Sequence, residues 1–528
     1  MNIQGRKTNK ARATRQSEGD LAPKERSKKQ GRTKRVLLVL LCLLLAAGVT
    51  FGLAMWNSRY PDALNMSSAC NTGNMSQMEM GTCQTGAGRS GSIPIQSLQA
   101  PQKAASIDNF TLTAEPVHLP FQAKDQADAW TFNGTAPGPT LRVRQGDLVV
   151  VHLVNHLSVG VTIHWHGVAV PNSADGVAGV TQDAARPGQS YIYRFLAKDP
   201  GTYWYHSHQE SFEETGKGLY GMLVVESAKP LTHDDVDTTY ALHTWNNILA
   251  FNESTGTQSL NAQPGQWVRL RFVNTDNTAH LLTLLGTPFL VAALDGQELN
   301  GPTPLTAVPI AIDGGQRYDL RFQMPRQGPV GLFANEKGQK QTEPRLQIGQ
   351  AGNFGPSIPK ASQQLFDFTN YGHPAADAIT PNSHFDVTYT ITLGFSVGFS
   401  NMRPGVVFTL DGKSFPDTPT LVVKPGQLVK LRFVNDAEGD HPMHLHGHTF
   451  TVLTKNGHPL TGSPVRLDTV SVGPHESYEI AFYANNPGIW MIHCHNLYHA
   501  NHGMDMMLVY PNISTPYTIG NASGNFPD

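Results

Sequence analysis

One stretch holds the densest reactive chemistry in this chain: Met491-Ile492-His493-Cys494-His495-Asn496-Leu497-Tyr498-His499, with Met504 five residues further on. A thiolate, imidazoles and a thioether are the ligand set of a blue copper site, with two His and a Cys in a plane and a weak axial Met. On a β-strand the neighbours of Cys494 face the opposite side. One face can therefore hold a single metal while His493 and His495 offer imidazoles to other metals behind it. Cys494 is the only thiol beyond Cys83. No intrachain disulfide framework competes for it there.

The elements that must position these residues show as an internal repeat. Gly146-Asp-Leu-Val-Val-Val-His-Leu-Val-Asn155, Gly265-Gln-Trp-Val-Arg-Leu-Arg-Phe-Val-Asn274 and Gly426-Gln-Leu-Val-Lys-Leu-Arg-Phe-Val-Asn435 each run nine residues from Gly to Asn. The second and third alternate apolar and basic residues, which predicts half-buried strands. A second element recurs as Tyr191-Ile-Tyr-Arg-Phe195, Tyr318-Asp-Leu-Arg-Phe322 and Tyr478-Glu-Ile-Ala-Phe482, each followed six residues later by Gly201, Gly328 or Gly488. Three copies of a strand-rich unit predict an all-β chain of three tandem Greek-key β-sandwiches. The composition agrees, since Gly 50 and Pro 36 with 15% charged residues describe a turn-rich β protein.

Counted from each Asn, offsets six, nine and eleven give His441, His444 and His446 in the third copy, and Val161, His164 and His166 in the first. In the second they give His280, Thr283 and Leu285. Offsets five to seven past each Gly give His493-Cys494-His495, His206-Ser207-His208 and Phe333-Ala334-Asn335. The first copy keeps four histidines, and the third keeps four equivalents plus the thiolate site. The second has lost its ligands, and a lone His280 reads as an ordinary histidine because a metal site needs a full ligand count. This four-plus-four symmetry predicts that the first and third units face each other with eight imidazoles between them. Imidazole suits copper, and eight nitrogens serve three coppers with positions left open for a small molecule.

The flanks read differently. Residues 1–35 carry 12 Lys/Arg and 3 Asp/Glu, a composition that predicts disorder. The remainder then holds 27 basic against 38 acidic residues. That acidic body argues against nucleic acid as a partner and fits cationic substrates. Val36 to Trp56 is 21 residues with Thr50 its one polar member, long enough to span a bilayer. A basic tail before it keeps the amino terminus inside. Two readings stay open: a single-pass anchor with the body outside the cell membrane, or a signal cleaved near Gly52-Leu53-Ala54 that releases the body. Asn57 to Lys103 reads as a flexible tether carrying Met66, Cys70, Met75, Met78, Met80 and Cys83. Thioethers select Cu(I), and an incidental Met-rich spacer fits equally. Cys70 and Cys83 could pair outside the cytosol. The expected division is 1–35 basic cytoplasmic tail, 36–56 anchor, 57–106 linker, 107–228 first sandwich, 229–360 second sandwich without copper, and 361–528 third sandwich with the blue site.

His164-Trp165-His166-Gly167, His206-Ser207-His208, His441-Pro-Met-His444-Leu-His446-Gly447 and the opening stretch resemble the four copper motifs of the multicopper oxidases, including bacterial laccase-like and cuprous oxidase-like members. The resemblance runs from residue 107 to the end, with all four motifs intact. It implies three cupredoxin domains and four coppers per chain: one type 1, one type 2 and two type 3. Type 1 would bind His441, Cys494, His499 and Met504. Type 2 would bind His164 and His444. The type 3 pair would bind His166, His206, His208, His446, His493 and His495. The implied reaction couples one-electron oxidation of Cu(I), Fe(II) or phenols to four-electron reduction of dioxygen to water, with copper tolerance among its uses. Cys494, His493 and His495 would carry electrons between the sites. Asp175, nine residues past His166, resembles the acid near the cluster in bacterial members and is read as a proton relay; a turn Asp before Gly176 is the alternative. Ala500 stands where some relatives carry an acid, which leaves a second proton route unassigned. The alternative from another class is a copper-sequestering extracytoplasmic protein with incidental turnover. Expected partners are dioxygen, a small reducing substrate or metal ion, and the membrane through the helix; the chain is expected to be a monomer.

Overall fold

Each repeated Gly-to-Asn segment folds as an interior strand of a sheet: Leu148–Asn155, Trp267–Asn274 and Leu428–Asn435. In the computed structural model, which describes residues 24–67, 92–120, 126–335, 344–350 and 364–528, all three are flanked alike. On one side lies a parallel partner, Ile107–Pro120, Val236–Trp245 or Val387–Ser400. On the other lies the antiparallel Tyr-to-Phe element, within Ser190–Leu196, Arg317–Gln323 or Ser477–Tyr483. The recurring Asn has a physical reason. The Asn155 side-chain amide donates to the Val159 and Ala185 carbonyls and its oxygen accepts from Leu157 N–H. Asn274 and Asn435 make the same three bonds in their own loops. A buried amide must be fully hydrogen-bonded, and this one ties the strand's end to the loop that follows.

The larger sheets fall into three successive pairs, of four and four strands, six and five, and seven and five. They lie within residues 107–226, 236–348 and 387–509. Cores form where alternating residues meet between paired sheets, as Leu431 and Phe433 do in the third pair, both buried. The second copy departs from expectation. Trp267–Asn274 is buried along nearly its whole length, not half-buried, because Arg269 and Arg271 point into an ionic layer and not into water. Arg269 pairs with Asp234, Glu298 and Asp319, and Arg271 with Asp237 and Asp319. Arg271 also donates to Thr202 Oγ1, in the first pair of sheets. Buried charges persist only with such partners.

The amino-terminal flank is corrected in two places. A single helix runs Lys24–Asn57, so residues 24–35 are helical where disorder was expected. Extending a helix adds one bond per residue and needs no new nucleus, so the apolar span carries its Lys- and Arg-rich entry with it. The stretch Arg32–Asn57 is long and apolar enough to cross a membrane. The tether expected over 57–106 is fastened to the body at both ends. Leu64 bridges Ile519, Ile93–Pro94 pairs in parallel with Ile513–Ser514, and Ile95 is buried. Met66 is a core residue, 3% exposed, and offers no free thioether. Cys70, Met75, Met78, Met80 and Cys83 lie outside the described residues.

Candidate metal centres

Two strands of the third sandwich carry the thiolate site. Ile489–Cys494 lies antiparallel to His441–Leu445, with Met443 opposite Cys494 and His444 opposite His493. The chain then turns into the short helix Leu497–Asn501, where Asn496 caps the first turn by accepting from Tyr498 and His499 N–H. That turn brings His499 Nδ1 to 3.5 Å from Cys494 Sγ and 3.2 Å from His441 Nδ1. His441 Nδ1 lies 3.7 Å from the sulfur. Met504 is buried, and its carbonyl accepts from Cys494 N–H at 3.1 Å. All four residues expected at this site converge, as two imidazole nitrogens beside a thiol with the buried Met504 backbone alongside.

The other eight histidines meet behind it. His164–His166 pairs with Gly201–His206, placing His164 opposite His206. Rings from the first and third sandwiches then stack pairwise, His166 on His444 at 3.7 Å and His164 on His446 at 3.9 Å between centroids. His495 completes one side at 4.7 Å from His166, and His493 the other at 5.3 Å from His208. On seven of the eight rings one nitrogen is engaged, and on His495 neither is. Nδ1 of His164, His206, His208 and His444 faces the carbonyls of Asp175, Ser207, Pro527 and Asp468 at 2.8–2.9 Å. Their Nε2 atoms are buried without a partner. Fixing the proton on Nδ1 leaves an inward lone pair, as metal-binding imidazoles require. His446 and His493 make the case most sharply. Their Nδ1 atoms face Asp175 Oδ2 and the Cys494 carbonyl, so both Nε2 atoms carry lone pairs, yet these face each other at 3.0 Å. Two acceptors cannot bond one another; a cation between them resolves the contact. The donor set therefore fits copper.

A buried ionic strap lies under this cluster. Arg317, in the second sandwich, forms a two-bond pair with Asp468 in the third and donates from Nε to the Thr202 carbonyl in the first. Asp468 in turn lies 3.1 Å from His166 Nε2. Burial alone would raise the Asp468 carboxyl, but Arg317 and His444 hold it well below the usual carboxylate range. Burial pushes neighbouring Asp295 up to about 7, and its Oδ2 accepts from Asp468 and Thr469 N–H. The motif glycine Gly167 has φ +83°, and a Cβ there would meet the Arg317 guanidinium and Asp468. Only glycine lets the strap pass. Asp175 sits against both His164 and His446, at 3.2 and 3.0 Å. His280 bonds Asp276, and His448 bonds Tyr510, both away from the cluster's nitrogens. The sequence reading missed Arg317, Asp468, Thr469, Pro527 and Glu214. Glu214 shares a hydrogen bond with Ser207, and burial holds its carboxyl well above the usual range.

Burial, reinforced by neighbouring imidazoles, holds His166, His206, His208, His446, His493 and His495 well below the ordinary imidazole value. His441 is pushed down to about 4 by burial, and His499 to about 3 by burial and by His441. The cavity thus keeps these rings neutral and ready to ligate. In the metal-free protein their contribution to stability is complete above the ordinary imidazole value and is lost as the pH falls through the depressed folded values. Cys494 is the opposite case, since burial pushes its thiol well above the ordinary value. Loading copper at neutral pH should therefore release about one proton more from the parent than from Cys494→Ser. Titration calorimetry in buffers of different ionisation enthalpy measures this; an equal release from both proteins would show a thiolate already formed in the empty site.

Residues 113–230 and 383–514 each match a family described as multicopper oxidase. The multicopper oxidase MmcO of Mycobacterium tuberculosis is 28% identical over 489 residues, covering 81% of this chain and 92% of that protein. A copper resistance protein A homolog of Pseudomonas syringae pv. tomato is 24% identical, over 71% of this chain and 88% of its own. The crystal structure of a multi-copper oxidase from Pseudomonas thermotolerans matches with TM-score 0.61 at 28% identity, covering 77% of this chain and all (100%) of that one. Fet3p, a multicopper oxidase that functions in iron import, matches with TM-score 0.65 at 19% identity, over 77% and 91%, a likeness of fold alone. Together with the geometry, these matches define a copper-dependent oxidoreductase built from cupredoxin-like sandwiches. The chain belongs to the multicopper oxidase family, whose members hold type 1, type 2 and type 3 copper, four ions in all, and couple oxidation of a reducing substrate to reduction of dioxygen.

Proposed function

We propose that this enzyme takes electrons from electron-rich aromatic donors at the His499 edge of the type 1 site. One observation carries the reading. His499 is the partly exposed member of the thiolate site. Phe408 stacks on it at 3.9 Å, and Tyr498, 41% exposed, lies beside both. An aromatic rim favours a planar donor, which stacks there with its π face toward the imidazole edge. A second reading, oxidation of Cu(I) or Fe(II), is supported by exposed Asp436, Glu438 and Asp440 immediately before His441.

In this assignment His441, Cys494, His499 and Met504 hold type 1 copper, and His164 and His444 hold type 2. His166, His206, His208, His446, His493 and His495 hold the type 3 pair. Copper, when bound, supplies the one-electron redox steps and the reduction of dioxygen. The chain supplies the rest. Cys494 is bonded through the backbone to His493 and His495, so the route between sites is covalent and short. The carbonyls of Asp175, Ser207, Pro527 and Asp468 fix which nitrogen of His164, His206, His208 and His444 points inward. Four electrons and four protons convert one dioxygen to two waters. Passing protons inward is assigned to Asp175, a reading supported by its contacts with His164 and His446, one ring from each sandwich. The divisions 107–228, 229–360 and 361–528 each contain one pair of the large sheets and are proposed as the three domains. The helix Lys24–Asn57 is proposed as a retained membrane anchor with the body outside.

The test is steady-state dioxygen uptake with a methoxyphenol, Cu(I) and Fe(II) side by side, in the parent and in Tyr498→Ala. The phenol should show the largest kcat/KM and lose most in the variant, where one ring of the rim is gone. A larger kcat/KM for either metal ion, untouched by Tyr498→Ala, would transfer the assignment to the cation reading.

A further inference from the structure

The third sandwich extends an amphipathic ribbon beyond its sheet. Val387–Leu393 pairs with Val429–Asn435, but Gly394–Ser400 pairs only with Arg403–Thr409. The outer half is thus a two-stranded ribbon, an arrangement with little stability of its own in water. Its register places Leu393, Phe395, Val397 and Phe399 opposite Leu410, Phe408, Val406 and Pro404, all on one face. That face is buried at its root, where Leu393 and Leu410 are both 0% exposed, and open toward its tip, where Phe395 is 55%, Val397 87% and Val406 40% exposed. The opposite face buries Val407 and Thr409. Residues 387–410 contain no acid, and Arg403 beside the turn is their one base. An outward apolar strip on a marginal ribbon marks a contact surface.

The chain itself indicates what covers it. Tyr60 packs edge-on against Phe526 at 5.3 Å, and its N–H lies 3.5 Å from Asn401 Oδ1 in the ribbon's turn. Tyr60 follows Asn57, the end of the apolar helix, by three residues. Three residues span at most about 11 Å when fully extended. Whatever direction the helix takes, the bilayer surface it leaves lies within that reach of Tyr60. We propose that the ribbon's apolar face docks into the headgroup–acyl boundary of the same membrane, with Phe395, Val397 and Val406 inserted and Arg403 among lipid phosphates. Apolar side chains flanked by a base suit that boundary, and burial there scales with apolar area. Docking would set the His499 edge, at the ribbon's root beneath Phe408, close to the membrane surface. The proposal rests on the helix being retained as an anchor.

The test uses the full chain in vesicles of phosphatidylcholine and phosphatidylglycerol carrying bromine near the headgroup end of the acyl chains. Val397→Trp is compared with Leu231→Trp, whose side chain is 86% exposed on a loop outside the ribbon, each after subtraction of the parent. The emission added at 397 should shift to the blue and be mostly lost to the brominated lipid, and that at 231 should do neither. A chain that floats with the vesicles yet keeps unshifted, unquenched emission at 397 overturns the docking. A blue shift that follows protein density and ignores bromine gives the strip to a second copy and overturns it equally. A chain that fails to float shows instead that the anchor reading is wrong, and the proposal falls with it.

Discussion

Cys494→Ser should remove the intense visible absorption and dioxygen uptake together while the protein stays folded. The colour of such a site comes from charge transfer between thiolate sulfur and copper, and a serine hydroxyl neither ionises there nor binds copper as a soft ligand. Cys494 Sγ is the atom that His499 and His441 converge on, at 3.5 and 3.7 Å. Without it two imidazoles remain, too few for a planar three-ligand site. The eight histidines behind it are unchanged, so copper should still load there. Absorption spectra, copper analysis and uptake on one preparation decide the matter. A serine variant that stays blue, or that keeps turning over, would refute the assignment of the thiolate.

Arg317→Met should destabilise the fold by about 3–5 kcal/mol, the usual cost of leaving one charge of a buried pair alone. The guanidinium is fully buried and serves Asp468, Thr202 and Gly315 at once. The pH dependence of the Asp468 contribution should change sign. In the parent, the Asp468 carboxyl is held below the usual range by Arg317, so its contribution is complete above the unfolded carboxylate value and lost only as the pH falls toward the depressed folded value. In the variant, burial acts without the cation, the folded carboxyl rises above its unfolded value, and the variant's deficit against the parent should shrink on mild acidification. Denaturant midpoints across acid and neutral pH, with Asp468→Asn added in the same chain to recover part of the loss, measure both effects. A variant within 1 kcal/mol of the parent, about a fivefold change in equilibrium constant, would show that water or another cation replaces the guanidinium.

Ten of the twelve proposed ligands were legible because each sits at a fixed offset from a repeated structural residue, and His499 and Met504 because they follow Cys494 closely. Asn155 and Asn435 close equivalent loops, and Gly201 and Gly488 stand where equivalent strands begin, so counting from them counts through the same backbone twice. The strap was not legible for the converse reason. Arg317 precedes Tyr318 in one copy of the Tyr-to-Phe element, and nothing in that local pattern distinguishes a base at a sheet edge from one that crosses three sandwiches. Asp468-Thr469 carried a fainter signal, a polar pair between buried Leu467 and Val470. Pro527 carried none, since it acts through a carbonyl that every residue possesses. The ionic layer around Arg269 and Arg271 was misread because alternation reports a two-faced strand without saying whether the second face meets water or protein.

The cluster joins parts of the chain made far apart in time. His166 meets Thr469 across 303 residues, and His208 meets Pro527 across 319. At roughly 5–20 residues per second, a ribosome needs roughly 15–60 s to pass from one to the other. Throughout that interval His164, His166, His206 and His208 lack the third-sandwich rings that close over them. The nascent chain therefore carries no finished trap for copper, and a prematurely ended chain never acquires one. Assembly of the oxygen-reducing centre is deferred until synthesis of the third sandwich is over, which separates the making of this protein from its arming with a redox metal.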